Sequence, residues 1–394
     1  MSEIQIGGRR YSGPAFFSFA FRPLFFSGAL FAGIAIPAWA CLFTGQLVVA
    51  GDPMRWHAHE MLFGFLGAII GGFLLTAIPN WTGRLPVAGA PLAGLLGLWL
   101  LGRIGAVLQA TGVIGPEVGI VLELLYWLAL SGAAFREIIA GNNKRNLPVV
   151  AMIAAFALAD IVTFLPDWTS VDPMLGAHLA IALAATLISL IGGRITPSFT
   201  RNWLAKEKGE PFPAPFGLID KAAVAATLIA MLAWAVFPDA AWAGGLLLVA
   251  AVVQAIRLAR WQGQRTFQEP LVVILHLGYL WLVVGLLALG ASAIAPERIM
   301  ATAALHALTA GAVGTMTLAV MTRASLGHTG RPLVADRGTQ AIYTLVILGA
   351  VTRVLAPWLP TDYPETVAAA GLLWAAGFLL FAVKYGRYLF SARA

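Results

Sequence analysis

Two histidines and a glutamate, His57, His59 and Glu60, lie together near the start of an otherwise apolar segment. Neutral imidazole is a common metal ligand, and ionisable groups at membrane depth are costly enough to indicate a functional site. Residues two apart on a helix point roughly 200° away from each other, so the two histidines cannot easily share one metal ion. We therefore expect one of them to face a bound group while the other faces a neighbouring site.

The elements that must position these residues are membrane-spanning helices. Of the 394 residues, 60% are hydrophobic and only 11% are charged, and the mean hydropathy is +0.84. Such a chain is far too apolar for an ordinary soluble domain, and about 20 consecutive apolar residues are enough to cross the hydrocarbon core. The sequence therefore predicts an all-α polytopic membrane protein, with residues 1–394 forming one integral membrane domain. The twelve predicted helices lie near residues 24–46, 57–78, 88–110, 117–140, 148–165, 173–193, 217–237, 239–259, 270–292, 297–322, 338–357 and 364–388.

The charges of the chain carry an orientation signal. Most of the 25 Lys and Arg residues lie at the termini and in the loops that follow even-numbered helices, whereas the opposite loops are mainly acidic. By the positive-inside rule we expect both termini in the cytoplasm. The net charge of +7 thus reflects topology, and we expect a lipid bilayer and no nucleic acid as a partner. The single cysteine, Cys41, excludes an intramolecular disulfide and a thiolate metal cluster.

Several features recur at similar separations along the chain. A proline opens the first helix of each set, a histidine lies early in the second helix, and a basic residue closes the fourth. The prolines are Pro23, Pro148 and Pro270, the histidines are His59, His178 and His306, and the basic residues are Arg136, Arg257 and Lys384. The shared order and period predict three four-helix pseudo-repeats, near residues 15–143, 144–265 and 266–394. Helices two, six and ten would then each deliver one histidine to a similar depth.

These helices carry the candidate metal ligands. His57, His59, His178 and His306 lie at comparable depth near helix starts, which favours a ligand role over isolated polar packing. His276 enters from the opposite end of helix nine, about two turns in. It is either a further ligand or a polar packing residue.

Two arginines, Arg103 and Arg353, lie inside the third and eleventh helices. A buried guanidinium needs an anion or a carboxylate. It could bind the carboxylate of a cofactor, or it could pair with Glu60, Glu123 or Asp160, which lie at suitable depths. Those carboxylates could also form a proton route.

Four segments together resemble the NnrS family: Phe19 to Phe25, Trp56 to Gly64, Ala77 to Gly83 and Arg194 to Arg201. The similarity spans essentially the whole chain, and the Trp-His-x-His-Glu segment is its most specific part. The resemblance implies a twelve-helix protein of the bacterial inner membrane that contains haem and copper. It also implies a role in the response to nitric oxide in denitrifying and nitrosatively stressed bacteria.

The predicted architecture is also similar to the core of haem-copper oxidases and related nitric oxide reductases. Those enzymes have twelve helices in a pseudo-threefold arrangement, with ligating histidines on helices two, six and ten. Here helix ten has the single His306, and helix seven lacks a His-His pair. We therefore do not expect a standard haem–copper binuclear centre, and the likeness in fold is weak evidence for function.

The resemblance leads to a specific hypothesis for the ligands. His59 and His306 would be axial ligands of a haem b, and His178 with His57 or His276 would hold a second haem or a copper ion. Arg103, Arg353 and Arg55 would balance haem propionates.

The expected function follows from this cofactor set. The protein would bind nitric oxide and reduce or otherwise detoxify it, with electrons supplied by quinol or a separate donor. Whether it is a nitric oxide reductase-like oxidoreductase is left open. A membrane transporter for a small solute or metal ion is the competing class, because internal repeats and intramembrane charges are common in carriers. A regulatory protein that binds haem without turnover is the third.

Overall fold

The computed structural model describes residues 4–6, 9–207 and 209–394, and within these ranges twelve helices are long and apolar enough to cross a membrane. They are α1 Phe21–Phe43, α2 Pro53–Thr82, α3 Ala90–Ala110, α4 Pro116–Ala140, α5 Lys144–Asp167, α6 Leu175–Lys206, α7 Leu218–Val236, α8 Ala241–Arg265, α9 Pro270–Ile294, α10 Ala301–His328, α11 Arg337–Trp358 and α12 Tyr363–Leu389. Two short strands, β1 (Ile4–Ile6) and β2 (Arg9–Tyr11), pair antiparallel before α1. The prediction of a twelve-helix polytopic membrane protein is confirmed.

Local sequence sets the helix starts. Proline lies in the first turn of α2, α4 and α9, where its missing N–H costs nothing. Asp52 caps α2, because its Oδ1 accepts a hydrogen bond from the backbone N–H of Met54 at 2.8 Å. The start of α10 lies at Ala301, later than the sequence predicted, because residues 295–299 form a turn closed on the carbonyl of Ala295. His306 is therefore about one and a half turns inside its helix, nearer the helix start than expected.

The chain divides into two compact units. Unit 1 comprises Met1–Ala180, Ala324–Pro332 and Phe378–Ala394, and unit 2 comprises Ile181–Arg323 and Leu333–Gly377. Unit 1 thus contains α1 to α5, the start of α6 and the ends of α10 and α12. The three pseudo-repeats stay a prediction.

The second helix of each predicted repeat contains a π-helical segment, which the sequence did not reveal. These segments are Glu60–Phe65 in α2, Ile188–Gly192 in α6 and Ala307–Val313 in α10. A π-segment leaves backbone carbonyls without their usual helical partners, and such segments occur frequently at functional sites. His59 and His306 directly precede their π-segments, whereas Leu187 holds that position in α6.

Side chains of neighbouring helices bind carbonyls in each π-segment. The indole of Trp99 donates to the Gly64 carbonyl at 2.9 Å, and Arg257 Nη1 donates to the Ser189 carbonyl at 2.7 Å. In α10 the corresponding donor is the indole of Trp374, which lies 3.1 Å from the carbonyl oxygen of Ala310. Tertiary contacts therefore stabilise backbone geometry that the helix alone would not keep.

Candidate functional site

The most polar buried site in unit 1 is built around His59. Its Nδ1 lies 2.9 Å from Oε1 of Glu60, and its Nε2 lies 2.9 Å from Oδ1 of Asp160 on α5. Both ring nitrogens therefore contact carboxylates, and only 13% of the side chain is exposed. The π-segment that begins at Glu60 brings this side chain beside the histidine that precedes it.

Arg103 on α3 extends this group of residues to α4. Its Nη1 donates to Glu60 Oε1 at 2.6 Å, and its Nη2 donates to Glu123 Oε2. Of the two sequence interpretations of Arg103, pairing with intramembrane carboxylates is the arrangement that the structure shows. We call His59, Glu60, Arg103, Glu123 and Asp160 the unit 1 cluster.

Neighbouring residues fix the unit 1 cluster in position. The indole of Trp127 donates to Asp160 Oδ2 at 3.0 Å, so both oxygens of that carboxylate are engaged. The Arg103 guanidinium lies over the rings of Phe31 and Trp99, at 5.8 and 6.0 Å from their centroids. Gly64 makes room for the guanidinium, because a Cβ at that position would collide with Arg103 Nη1.

The unit 1 cluster has unused acceptors and an excess of negative charge. Among the described residues, Glu60 Oε2 and Glu123 Oε1 are buried without a hydrogen-bond partner. Three carboxylates face one guanidinium, so the net charge of the cluster is −2 when the His59 ring is neutral and −1 when both ring nitrogens carry a proton. Buried polar atoms without partners are rare in folded proteins and call for an explanation. A bound cation would supply both the missing contacts and the missing charge.

Three members of the cluster can act together as metal ligands. One ligand atom from each of His59, Glu123 and Asp160 lies within 4.8 Å of the others. One imidazole nitrogen and two carboxylate oxygens suit ferrous iron, manganese or zinc better than they suit the soft cuprous ion. His59 was predicted from the sequence as a ligand, whereas Glu123 and Asp160 were predicted only as partners for arginine or as a proton route.

A cavity of about 270 Å³ leads to the unit 1 cluster. Its lining includes His59 and Glu123 of the unit 1 cluster. Asp52, Arg55 and Asp167 also line it. Arg55 binds Asp167 through two hydrogen bonds of 3.0 and 3.2 Å, and its side chain is 29% exposed. The cavity therefore gives small ions or water a path from the ends of α2 and α5 to the buried carboxylates.

Two other candidate histidines of unit 1, His57 and His178, are not members of this group of ligand atoms. His57 stacks on Trp39 of α1, with ring centroids 4.2 Å apart. The two histidines of the motif thus face different neighbours, as their helical spacing predicted. His178 lies within the first turn of α6 and is half-buried, while Met174 and Ala177 from the same turn line the cavity.

Two candidate histidines belong to unit 2. Nδ1 of His306 lies 2.7 Å from the carbonyl oxygen of Thr302, one turn earlier in α10. Nε2 of His276 lies 2.8 Å from Oγ1 of Thr200. Because His59 and His306 belong to different units, their predicted pairing as axial haem ligands stays a prediction.

A second buried polar network occupies unit 2. Arg257 Nε donates to Asp220 Oδ1 at 2.8 Å, and its Nη1 donates to the hydroxyl of Tyr279 at 2.8 Å. Tyr279 in turn donates to Gln254 Oε1 at 2.6 Å, and Gln254 Nε2 donates to Thr227 Oγ1 at 2.7 Å. From the sequence, Arg257 was expected only to be a basic residue that closes α8. The sequence could have indicated the network, because Gln254 and Asp220 are polar residues at depths in their helices that match the depth of Arg257.

The fold and the unit 1 cluster define a polytopic helical membrane protein with ionisable residues buried between its helices. The family model described as NnrS protein matches residues 15–393, which is nearly the whole chain. The chain therefore belongs to the NnrS family. A comparison with curated proteins finds no match.

Proposed function

We propose that this chain is a metal-containing membrane protein of the bacterial nitric oxide response, with a metal ion bound by the unit 1 cluster. The observation that carries the proposal is the approach of ligand atoms from His59, Glu123 and Asp160 to within 4.8 Å of one another beside a cavity. The family supports the link to nitric oxide through its name.

Charge and hydrogen bonding both favour a divalent ion at this position. With the imidazole neutral, such an ion balances the two uncompensated carboxylate charges. Glu123 Oε1 has no hydrogen-bond partner in the described structure, and it would either coordinate the metal or accept a hydrogen bond from a water bound to it. Trp127 and Arg103 would orient the ligating carboxylates of Asp160 and Glu123, as residues around metal sites commonly do.

We favour iron for this ion because ferrous iron accepts mixed nitrogen and oxygen ligands and also binds nitric oxide. The protein residues would hold the ion and allow other molecules to reach it only through the cavity. The carboxylates of the cluster would balance the charge of the ion. Reduction of two nitric oxide molecules to nitrous oxide and water consumes two electrons and two protons. Quinol or a separate protein donor would supply the electrons.

A haem b is the second part of the proposal, with His306 as an axial ligand. Its Nδ1 contact with the Thr302 carbonyl supports this role, since ligating histidines usually bind a backbone carbonyl or carboxylate through the other ring nitrogen. His59 fits an axial haem position less well, because the Glu60 and Asp160 carboxylates beside its ring nitrogens leave no room for a macrocycle, whereas Asp160 can share a small metal ion with it. Copper at His178 with His57 or His276 remains a prediction from the family resemblance.

The bacterial inner membrane is the proposed location, with both termini in the cytoplasm. The distribution of Lys and Arg supports this orientation. It places the start of α2, and hence the mouth of the cavity, on the periplasmic side.

The test is metal analysis of the full-length protein purified in detergent, with Glu123→Gln and Asp160→Asn as variants. Glu117→Gln is the matched control, because Glu117 lies on the same helix and contacts the exposed indole of Trp168. We expect both ligand variants to lose the metal and the control to keep it. Anaerobic addition of nitric oxide with a reductant should then yield nitrous oxide from the wild type and the control. Equal metal content in all four proteins would contradict the assignment.

A haem absorbance spectrum tests the second part separately. We expect a Soret band in the wild type and its loss in His306→Ala. A colourless wild-type protein would rule out the haem. The metal ion in the unit 1 cluster is tested independently by the metal content of the purified proteins.

A further inference from the structure

Among the described residues, three buried arginines lie five residues or more from either end of a membrane-length helix, and their surroundings differ. Arg103, Arg257 and Arg353 are 6%, 0% and 8% exposed. Arg103 has two carboxylate partners, and Arg257 has Asp220 together with backbone carbonyls. For Arg353, by contrast, the described part of the chain supplies no carboxylate oxygen within the 4.0 Å that defines an ion pair. Within the described ranges, carboxylates pair with Arg103 and Arg257, whereas Arg353 has no such counter-charge.

The hydrogen-bonding state of Arg353 agrees with its missing counter-charge. Its Nε and Nη1 are buried and have no hydrogen-bond partner among the described residues. The ring of Tyr363 lies 6.0 Å from Cζ, which gives a favourable cation–π contact but no acceptor for these two N–H groups. A buried guanidinium in this state is strongly unfavourable, so an acceptor from outside the chain is the simplest way to satisfy it.

The position of Arg353 places such an acceptor near His306. Arg353 lies five residues before the end of α11, and His306 lies five residues after the start of α10. Those two helix ends are on the same side of the span, and the beginning of α10 packs against α11 within unit 2. Both residues are therefore about 7 to 8 Å along their helices from the same face. The contact of His306 Nδ1 with Thr302 fixes the orientation of its ring at this end.

We propose that Arg353 binds an oxyanion, the carboxylate or phosphate group of a ligand that enters unit 2 beside His306. Guanidinium is planar and always charged, and its N–H groups match the oxygens of carboxylates and phosphates. The oxyanion accepts from the two unpartnered N–H groups and supplies the negative charge that the chain does not provide. The inference uses the proposed function only to choose haem as one source of the group; it does not depend on a metal in the unit 1 cluster.

Two sources share this chemistry, and separate experiments distinguish them. The first compares binding of haem with binding of haem dimethyl ester, whose carboxylates are blocked, to full-length protein produced without added haem. The second uses native mass spectrometry to detect phosphatidylglycerol retained from nanodiscs containing that lipid and phosphatidylcholine. The variants are Arg353→Gln and Arg353→Lys. Arg298→Gln is the control, because Arg298 is an exposed arginine of unit 2 beside Glu297.

If Arg353 binds a cofactor carboxylate, wild-type protein should bind haem about tenfold to hundredfold more tightly than it binds haem dimethyl ester. Arg353→Gln should abolish this preference, Arg353→Lys should restore part of it, and Arg298→Gln should keep it. If Arg353 binds a lipid phosphate instead, the wild type and the control should retain phosphatidylglycerol, and Arg353→Gln should release it.

The comparison of haem with its ester needs no variant, so it remains decisive if Arg353→Gln does not fold. Wild-type protein that neither prefers haem over the ester nor retains phosphatidylglycerol would overturn the proposal. Metal content of the unit 1 cluster, measured on the same samples, reports separately on the proposed function.

Discussion

Replacing Arg103 with glutamine tests whether the unit 1 cluster depends on its single permanent cation. The guanidinium donates to Glu60 Oε1 at 2.6 Å and to Glu123, and its side chain is only 7% exposed. Removing one partner of a buried ion pair leaves uncompensated charge and costs about 3–5 kcal/mol. We therefore expect Arg103→Gln to lower the free energy of unfolding by about that amount, measured by SDS titration of the purified protein.

A second variant and a control separate charge from packing. Adding Glu123→Gln to Arg103→Gln removes one of the orphaned carboxylate charges, so the pair should show a favourable coupling energy of about 1–3 kcal/mol. Arg55→Gln is the control, because its ion pair with Asp167 also joins two helices of unit 1 but is 29% exposed. Its cost should be about 0–1 kcal/mol. The reasoning is refuted if Arg103→Gln costs no more than the control, or if Glu123→Gln gives no recovery.

Three further outcomes are expected. Trp127→Phe removes the donor to Asp160 and should weaken metal binding about 10- to 100-fold in a competition assay; unchanged affinity would exclude an orienting role. Gly64→Ala places a Cβ against Arg103 and should destabilise the protein by about 1–3 kcal/mol, whereas Gly97→Ala, which meets no atom within 4 Å, should not; equal stability of both would contradict the packing. A fluorescent protein fused to the C-terminus should fold and fluoresce, and alkaline phosphatase there should be inactive; the opposite pattern would reverse the proposed orientation.

The sequence predicted the helices well because each one is specified by local information. Hydrophobic length defined all twelve, and proline in the first turn located the start of α9 at Pro270, whereas α2 begins at Pro53, four residues before its predicted start. The start of α10 was less well predicted, since the predicted helix began at Glu297 although residues 295–299 form a turn and the helix begins at Ala301. The helical angle between His57 and His59 also correctly predicted that they face different neighbours.

The sequence was less informative about the partners of each ionisable group. Glu60, Glu123 and Asp160 were all recognised as possible counter-charges at suitable depths, but depth alone allowed several pairings. Lateral position in the bilayer, which decides the pairing, depends on how helices pack and is not encoded in any local pattern. The π-segment at Glu60 was invisible for the same reason, because contacts such as that of Trp99 with the Gly64 carbonyl stabilise it.

By itself, the sequence determined a twelve-helix membrane protein with histidines and carboxylates early in α2, because membrane solvation selects apolar length and makes buried ionisable groups conspicuous. Only the tertiary structure decided that His59 contacts Glu60 and Asp160, that Arg103 joins Glu60 to Glu123, and that Arg353 has no carboxylate partner among the described residues. The physical reason is that the energy of a buried charge depends on atoms within a few ångströms, and helices distant in sequence supply those atoms.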